Sequence, residues 1–307
     1  MLASGASAFR VQDGMERLAR AVGVERLHVQ MTYTTITATA WANGTFRTEV
    51  VEQRNLGVNA DRIDRFNAYV QSLPASLLVE DAVRDIEKIH GRPVLYSIPV
   101  SSVASGLACA GFAFLNKGGL VECLAVLVAA LVGQAVRRLL LKRHVNHFMT
   151  WMVCGFAASG LYMAIVGSLQ STAVIDATHQ AGMVSAVLFL VPGFPLVTSI
   201  LDLIRQDFIA GISRGTYVVM LLIATAASVW AVSSIFDWSI STTQPGYRLE
   251  PLPLAAGRAL ATFIAAYGFA MLFNAGAKAS VLAALVGALA NTGRLVLIDE
   301  FHVPWQL

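Results

Sequence analysis

Charge is what this sequence has least of. Asp, Glu, Lys and Arg make up 13% of its 307 residues, against roughly a quarter in an ordinary soluble domain. A soluble fold with so few charges could not cover its own surface. Cysteine is also scarce: Cys109, Cys123 and Cys154 all stand in apolar runs, with no C-x-x-C among them. That excludes a disulfide framework or a cysteine zinc site and leaves small buried thiols. No G-x-x-x-x-G-K-[ST] loop occurs, so no nucleotide site of that kind drives the protein. No Ser/His/Asp or Cys/His set stands out as catalytic, and neither a metal site nor a cofactor is expected. The opening MLASGASAFRVQDG lacks the basic start and long apolar core of a secretory signal.

What the sequence does have is apolar residues, 56% of the chain. Only a second, apolar solvent can hold that much, and the lipid bilayer is the partner it implies. Residues 1–96 carry 11 acidic and 11 basic side chains, whereas residues 97–307 carry 8 and 11. The net charge of +3 therefore arises in the apolar part and marks membrane orientation. A nucleic-acid partner would instead need a clustered basic face on the soluble part, so none is expected.

Seven apolar stretches, at 98–115, 120–138, 148–169, 181–204, 216–236, 256–275 and 279–298, each approach the ~20 residues that cross a bilayer core. The expected fold is a polytopic α-helical membrane protein of about seven spans with an amino-terminal cytoplasmic α/β domain. Its expected parts are a head over 1–95, a five-span first membrane half over 96–236, an extracytoplasmic linker over 237–254 and a partial second half of two spans over 255–307. Arg137, Arg138, Lys142 and Arg143, then Arg205 and Arg214, then Lys278, fall in the loops that are inside if the head is inside. This bias fits an amino terminus in the cytoplasm.

In the head, Phe9, Val11, Met15, Leu18, Ala19 and Val22 recur at helical spacing. RLHVQMTYTTITATAW alternates like one half-buried strand, Asn43-Gly44 is a hairpin turn, and TFRTEVVEQR is the returning strand. Helices are expected near 61–73 and 77–90.

The most informative stretch is LFLVPGFPLVTSILDLIRQDFIAGISRG, residues 188–215. Pro192, Gly193 and Pro195 interrupt an otherwise continuous apolar span, and proline removes a backbone donor while clashing with the preceding turn. In lipid the freed groups need neighbouring helices, water or a solute. Such breaks serve as solute sites in transporters, although a kink can also merely shape packing. Asp202 follows on the same span; it suits a coupling proton, or equally an ion pair with Arg205 or Arg214. Glu122 complements the start of the second span. Small residues repeat in the first three spans (Ser102, Gly106, Ala110; Ala125, Ala129, Gly133; Gly155, Ser159) and suit close helix packing. His144 and His147 belong with the basic interface, with metal binding as the alternative. Asn274 ends the sixth span and is a candidate for the solute pathway.

At these residues the chain resembles the threonine/serine exporter family. LASGASAFRVQDGMERLARAVGV is similar to the opening of the family's cytoplasmic domain, the 188–215 stretch to its most distinctive membrane motif, and FAMLFNAGAKASVLAALVGALANTGR to the start of its second membrane half. The resemblance covers essentially the whole chain. It implies an inner-membrane secondary transporter that exports threonine, serine or similar small amino acids by proton antiport, with about ten spans in two inverted halves. A full member continues past the point equivalent to Leu307 into a second proline-glycine motif. The resemblance therefore implies an incomplete product, a carboxy-terminal partner subunit or a homo-oligomer. The alternatives are a dicarboxylate (succinate-like) exporter subunit needing a partner, a membrane-anchored cytoplasmic enzyme domain, and a non-transporting assembly subunit.

Overall fold

The protein, seen as a computed structural model, is described over residues 1–53, 57–172, 181–236 and 251–301. Most of the expected linker, 237–250, lies outside the described residues, as does the loop around Asp176. The chain forms two compact units: Met1–Leu95 with Pro192–Val219, and Tyr96–Val191 with Met220–Leu307.

The first unit contains the head. A 3-10 turn at Leu2–Ser4 leads into α1 (Ala8–Ala21). Strands β1 (Arg26–Met31), β2 (Thr35–Ala42) and β3 (Thr45–Glu52) follow as an antiparallel meander in the order β1-β2-β3. Helices α2 (Ala60–Gln71) and α3 (Val79–His90) complete it. The single strand expected over 26–41 is two strands. The Thr32 hydroxyl accepts the backbone N–H groups of Thr34 and Thr35 at 3.2 and 3.0 Å, a local bond that turns the chain and outcompetes the ladder. Asn43 and Gly44 both take positive φ, as the two-residue hairpin between β2 and β3 requires.

One face of α1 supplies Ala8 and Val11 to a core completed by Leu2, Ala6, Met31 and Ile63. Two residues from far along the chain join it: Ala210 is buried there and Phe194 packs against it. The head therefore shares its compact unit with α8 (Gly193–Ile204) and the start of α9 (Phe208–Ile235).

The second unit holds α4 (Ile98–Leu115), α5 (Leu120–Lys142), α6 (His147–Ser171), the short α7 (Ala181–Ala186), α10 (Pro251–Leu272) and α11 (Ala277–Phe301). The part of α9 from Met220 onward also belongs to it. Glycines bring α4 close to two neighbours: a Cβ on Gly106 would stand 2.7 Å from the Leu127 carbonyl oxygen, and one on Gly268 2.6 Å from that of Ala104. Those contacts put the repeated small residues to work as packing faces. Glu122 accepts the N–H of Gly119 at 2.7 Å and caps α5.

Six described helices are long and apolar enough to cross a membrane: α4, α5, α6, α9, α10 and α11. Leu120, Trp230, Leu252 and Leu289 are each more than 70% exposed on them, and each such side chain gains roughly 1.5–3 kcal/mol on leaving water. Lipid is the solvent that supplies this gain. The expected span over 181–204 is not a continuous helix. It divides into α7, a 3-10 turn at Leu188–Leu190 and α8. Two expected loops are shorter than the apolar pattern implied, because α5 runs on through Arg137, Arg138 and Lys142, and α9 starts eight residues before 216. Arg214, counted above as a loop cation, is inside α9 and 1% exposed.

Candidate functional site

The break falls where proline dictates. Val191, just before Pro192, is extended at φ −65°, ψ 118°, because the proline ring disfavours helical backbone in the residue ahead of it. Pro192 then serves as N-cap of α8, and no side chain caps that helix start. Pro195 sits in the first turn, where its missing N–H costs no helical bond.

On the near side of the break, inside the second unit, the interrupted backbone is satisfied by side chains. Trp151 Nε1 donates to the Leu190 carbonyl at 2.6 Å, and an Arg137 guanidinium nitrogen donates to the Phe189 carbonyl at 2.7 Å. The Arg137 cation also lies 5.3 Å from the Trp151 ring centre. Two helices thus supply the donors that a helix interrupted in an apolar setting must find.

The first unit contains the most developed polar centre. Asp202, 0% exposed on α8, accepts the Ala8 N–H on Oδ1 at 2.8 Å. This puts a carboxylate at the amino-terminal end of α1, where the unpaired N–H groups and helix dipole favour an anion. Arg214 of α9 approaches the other oxygen, Oδ2, at 3.5 Å. Among the described residues Oδ2 accepts no hydrogen bond.

Arg214 itself is engaged by the head. It donates to the Gly5 carbonyl at 3.0 Å, the Ala6 carbonyl at 2.9 Å and the Thr198 hydroxyl at 2.7 Å. Tyr33 closes the centre, its ring 5.3 Å from the guanidinium and 5.1 Å from the Tyr217 ring. The Tyr33 N–H donates to the Ser213 hydroxyl at 3.1 Å. Burial pushes the Tyr33 hydroxyl up to about 12, with Arg214 pulling the other way. Arg205, beyond the end of α8, lies 3.9 Å over the Phe9 ring. Of the two arginines weighed for Asp202, it is Arg214 that pairs with it.

Pro192, Gly193, Pro195 and Asp202 therefore share α8 or its cap. Asn274 is in the second unit, buried, with φ +57°. It ends α10 in the left-handed conformation that terminates many helices. His147 stacks on Trp151 with ring centres 6.0 Å apart. The residue that sequence reading underrated is Arg214. Its signal was present, since it lies twelve positions after Asp202 and directly before the apolar run from 216, but the loop assignment hid it.

Residues 1–236 match the family described as "Putative threonine/serine exporter" (ThrE). Two curated relatives align along most of their length. "Probable succinate transporter subunit YjjP" of Escherichia coli K12 is 26% identical over 245 residues, 78% of this chain and 91% of the relative. The protein of the same name from Klebsiella aerogenes is 26% identical over 242 residues, 78% of this chain and 90% of that relative. No solved structure matches the chain.

Proposed function

This chain belongs to the threonine/serine exporter family, a family of membrane transporters rather than enzymes, and on that premise we propose that it is a proton-coupled exporter subunit for a small carboxylate-bearing solute. The observation that carries the reading is Asp202: a fully buried carboxylate on the broken segment, with one oxygen bonded and the other accepting no hydrogen bond among the described residues. A proton can arrive on Oδ2 while Oδ1 still accepts the Ala8 N–H. Buried acids in membrane proteins are costly and are kept for such exchanges.

The solute carboxylate would be held at the start of α8. There Pro192, Gly193 and Pro195 form a helix start that no side chain caps, and N–H groups with a favourable dipole attract anions. Threonine and serine are the first candidates, by family. A succinate-like dicarboxylate is the second, favoured by the names of the two relatives. Those names also support a partner chain, either a second gene product or another copy. The head would face the cytoplasm of a cell whose inner membrane holds the spans, and protons returning inward would exchange for solute moving out. Asn274 has a backbone role at the end of α10, and a place for it in the pathway rests on its sequence position alone.

The test is efflux of threonine and of succinate from cells that express the chain with and without its genomic neighbour, at several external pH values. Asp202→Asn should abolish the pH dependence of whichever solute is exported. Efflux that stays proton-coupled in this variant removes Asp202 from the role.

A further inference from the structure

The same centre joins the head to the broken segment, and we infer that Arg214 is a positioning residue which makes that joint sensitive to the proton on Asp202. The inference rests on the proton-carrying role proposed above and adds a consequence to it: uptake of the proton releases the Gly5–Ala8 loop of the head.

The loop is held at three points by two side chains. Arg214 binds the Gly5 and Ala6 carbonyls, and Asp202 binds the Ala8 N–H. Gly5 takes φ +86°, and a Cβ there would stand 3.2 Å from the Gly57 carbonyl oxygen and 3.5 Å from the Phe194 ring. The loop is thus pressed between the rest of the head and α8. Among the described residues, the pair faces the following charged or titratable groups. Arg214 comes from α9, Asp207 acts from the α8–α9 turn, and Tyr33 faces Arg214 from the β1–β2 turn. From α1 the pair meets the Ala8 N–H. Arg205 acts at one remove, over Phe9.

While Asp202 is ionised, the two buried charges balance. Once Oδ2 is protonated, Arg214 becomes a buried cation held by neutral oxygens alone. An unpaired buried charge is far costlier than either a balanced pair or no charges at all. The least costly response is to admit water, and the groups described at the centre that are not part of α8 or α9 belong to the head: the Gly5–Ala8 loop and Tyr33 of the β1–β2 turn. The head then separates from α8 in step with proton uptake, which ties the motion of the proline-broken segment to the head.

Hydrogen exchange of the 5–11 segment reads this directly, using the full-length chain in lipid nanodiscs across a range of pH. In the native protein, protection corrected for intrinsic rates should fall by about tenfold or more on acidification, the scale of a lost charge-assisted bond. Asp202→Asn mimics the protonated acid and should show the low value at every pH. Arg214→Lys keeps the charge but not the fork, so it should keep the pH response with weaker protection. The double variant Asp202→Asn with Arg214→Gln has no charge to strand; it should recover protection and lose the pH response.

Protection that does not change with pH in the native chain, or an Asp202→Asn loop as protected as the native one, overturns the inference. Should the single variants fail to fold, the double variant decides: a residual pH response in it also overturns the inference. Failure of the transport reading looks different. It would be efflux still proton-coupled in Asp202→Asn, whatever the loop does; proton-coupled efflux lost in that variant beside a pH-insensitive native loop leaves transport standing and removes the latch.

Discussion

The Oδ1 atom of Asp202 accepts the N–H of Ala8 at 2.8 Å across 194 positions of sequence. With Arg214 at 3.5 Å on the other side, the carboxylate is part of a closed set that neither side chain can leave alone. Asp202→Ala should destabilise the first unit by about 3–5 kcal/mol, because it strands Arg214 in a dry site. Adding Arg214→Met should recover most of that loss. Thermal unfolding in detergent, followed for the single and double variants, checks both. Two additive losses would show that the pair is not coupled.

The membrane helices were legible because their signal is strong and local. The first expected span, 98–115, coincides with α4, and the hairpin at Asn43-Gly44 is in place. What could not be read was tertiary. Nothing local tells that Ala210 and Phe194 complete the head core, since an apolar residue beside lipid and one beside α1 look the same in a hydropathy pattern. The proline pair did announce the break. That the break ends one compact unit and begins another could not be seen, because it depends on contacts between residues about 200 positions apart. Arg214 was misplaced for a related reason: an arginine is read as a loop residue until the carbonyls of Gly5 and Ala6 that solvate it are known.

Gly5 carries a prediction of its own. Its φ of +86° is open to glycine at little cost, and the space for a Cβ is tight against a backbone oxygen of Gly57. Gly5→Ala should destabilise the head by about 1–2 kcal/mol, and Gly5→Val by more. Limited proteolysis within residues 1–25 measures this. By contrast Gly23, also at positive φ but with nothing near its Cβ position, should tolerate Asn.

Trp151 binds the last turn before the break, with Nε1 2.6 Å from the Leu190 carbonyl. Trp151→Phe keeps most of the ring and removes the donor. The buried carbonyl would lose a partner, at a cost of about 1–3 kcal/mol. Thermal stability of the purified protein should drop by that amount, and cysteine accessibility at Cys154, one turn along α6 from Trp151 and fully buried, should rise. Unchanged Cys154 labelling would show that the break is held without this bond.

Close helix contact in the second unit makes a sharper test than any single polar bond. A side chain at Gly268 would meet the Ala104 carbonyl oxygen at 2.6 Å and the Ala108 methyl at 2.9 Å, both part of rigid α4. Gly268→Leu should therefore separate α10 from α4 and lower the yield of folded protein several-fold. Gly293 on α11, with nothing within 4 Å of its Cβ position, is the control, and its change to Ala should leave the yield unaltered.

Tyr33 gives the pH dependence of the first unit at its alkaline end. Burial raises its hydroxyl from an ordinary value of 10.0 to about 12 in the fold. Below pH 10 the phenol is neutral in both the folded and unfolded states, and the group contributes no slope. As pH rises from about 10 to about 12 the unfolded chain ionises while the folded one holds its proton, so stability falls. Above that window both states are ionised and the loss is constant, of order 2–3 kcal/mol. Tyr33→Phe keeps the ring packed on Tyr217 and has no proton to lose. Denaturant titrations of native and variant protein across that window should diverge as pH rises, with the variant keeping the stability that the native protein gives up. Curves that stay parallel would mean that the hydroxyl reaches water in the folded state.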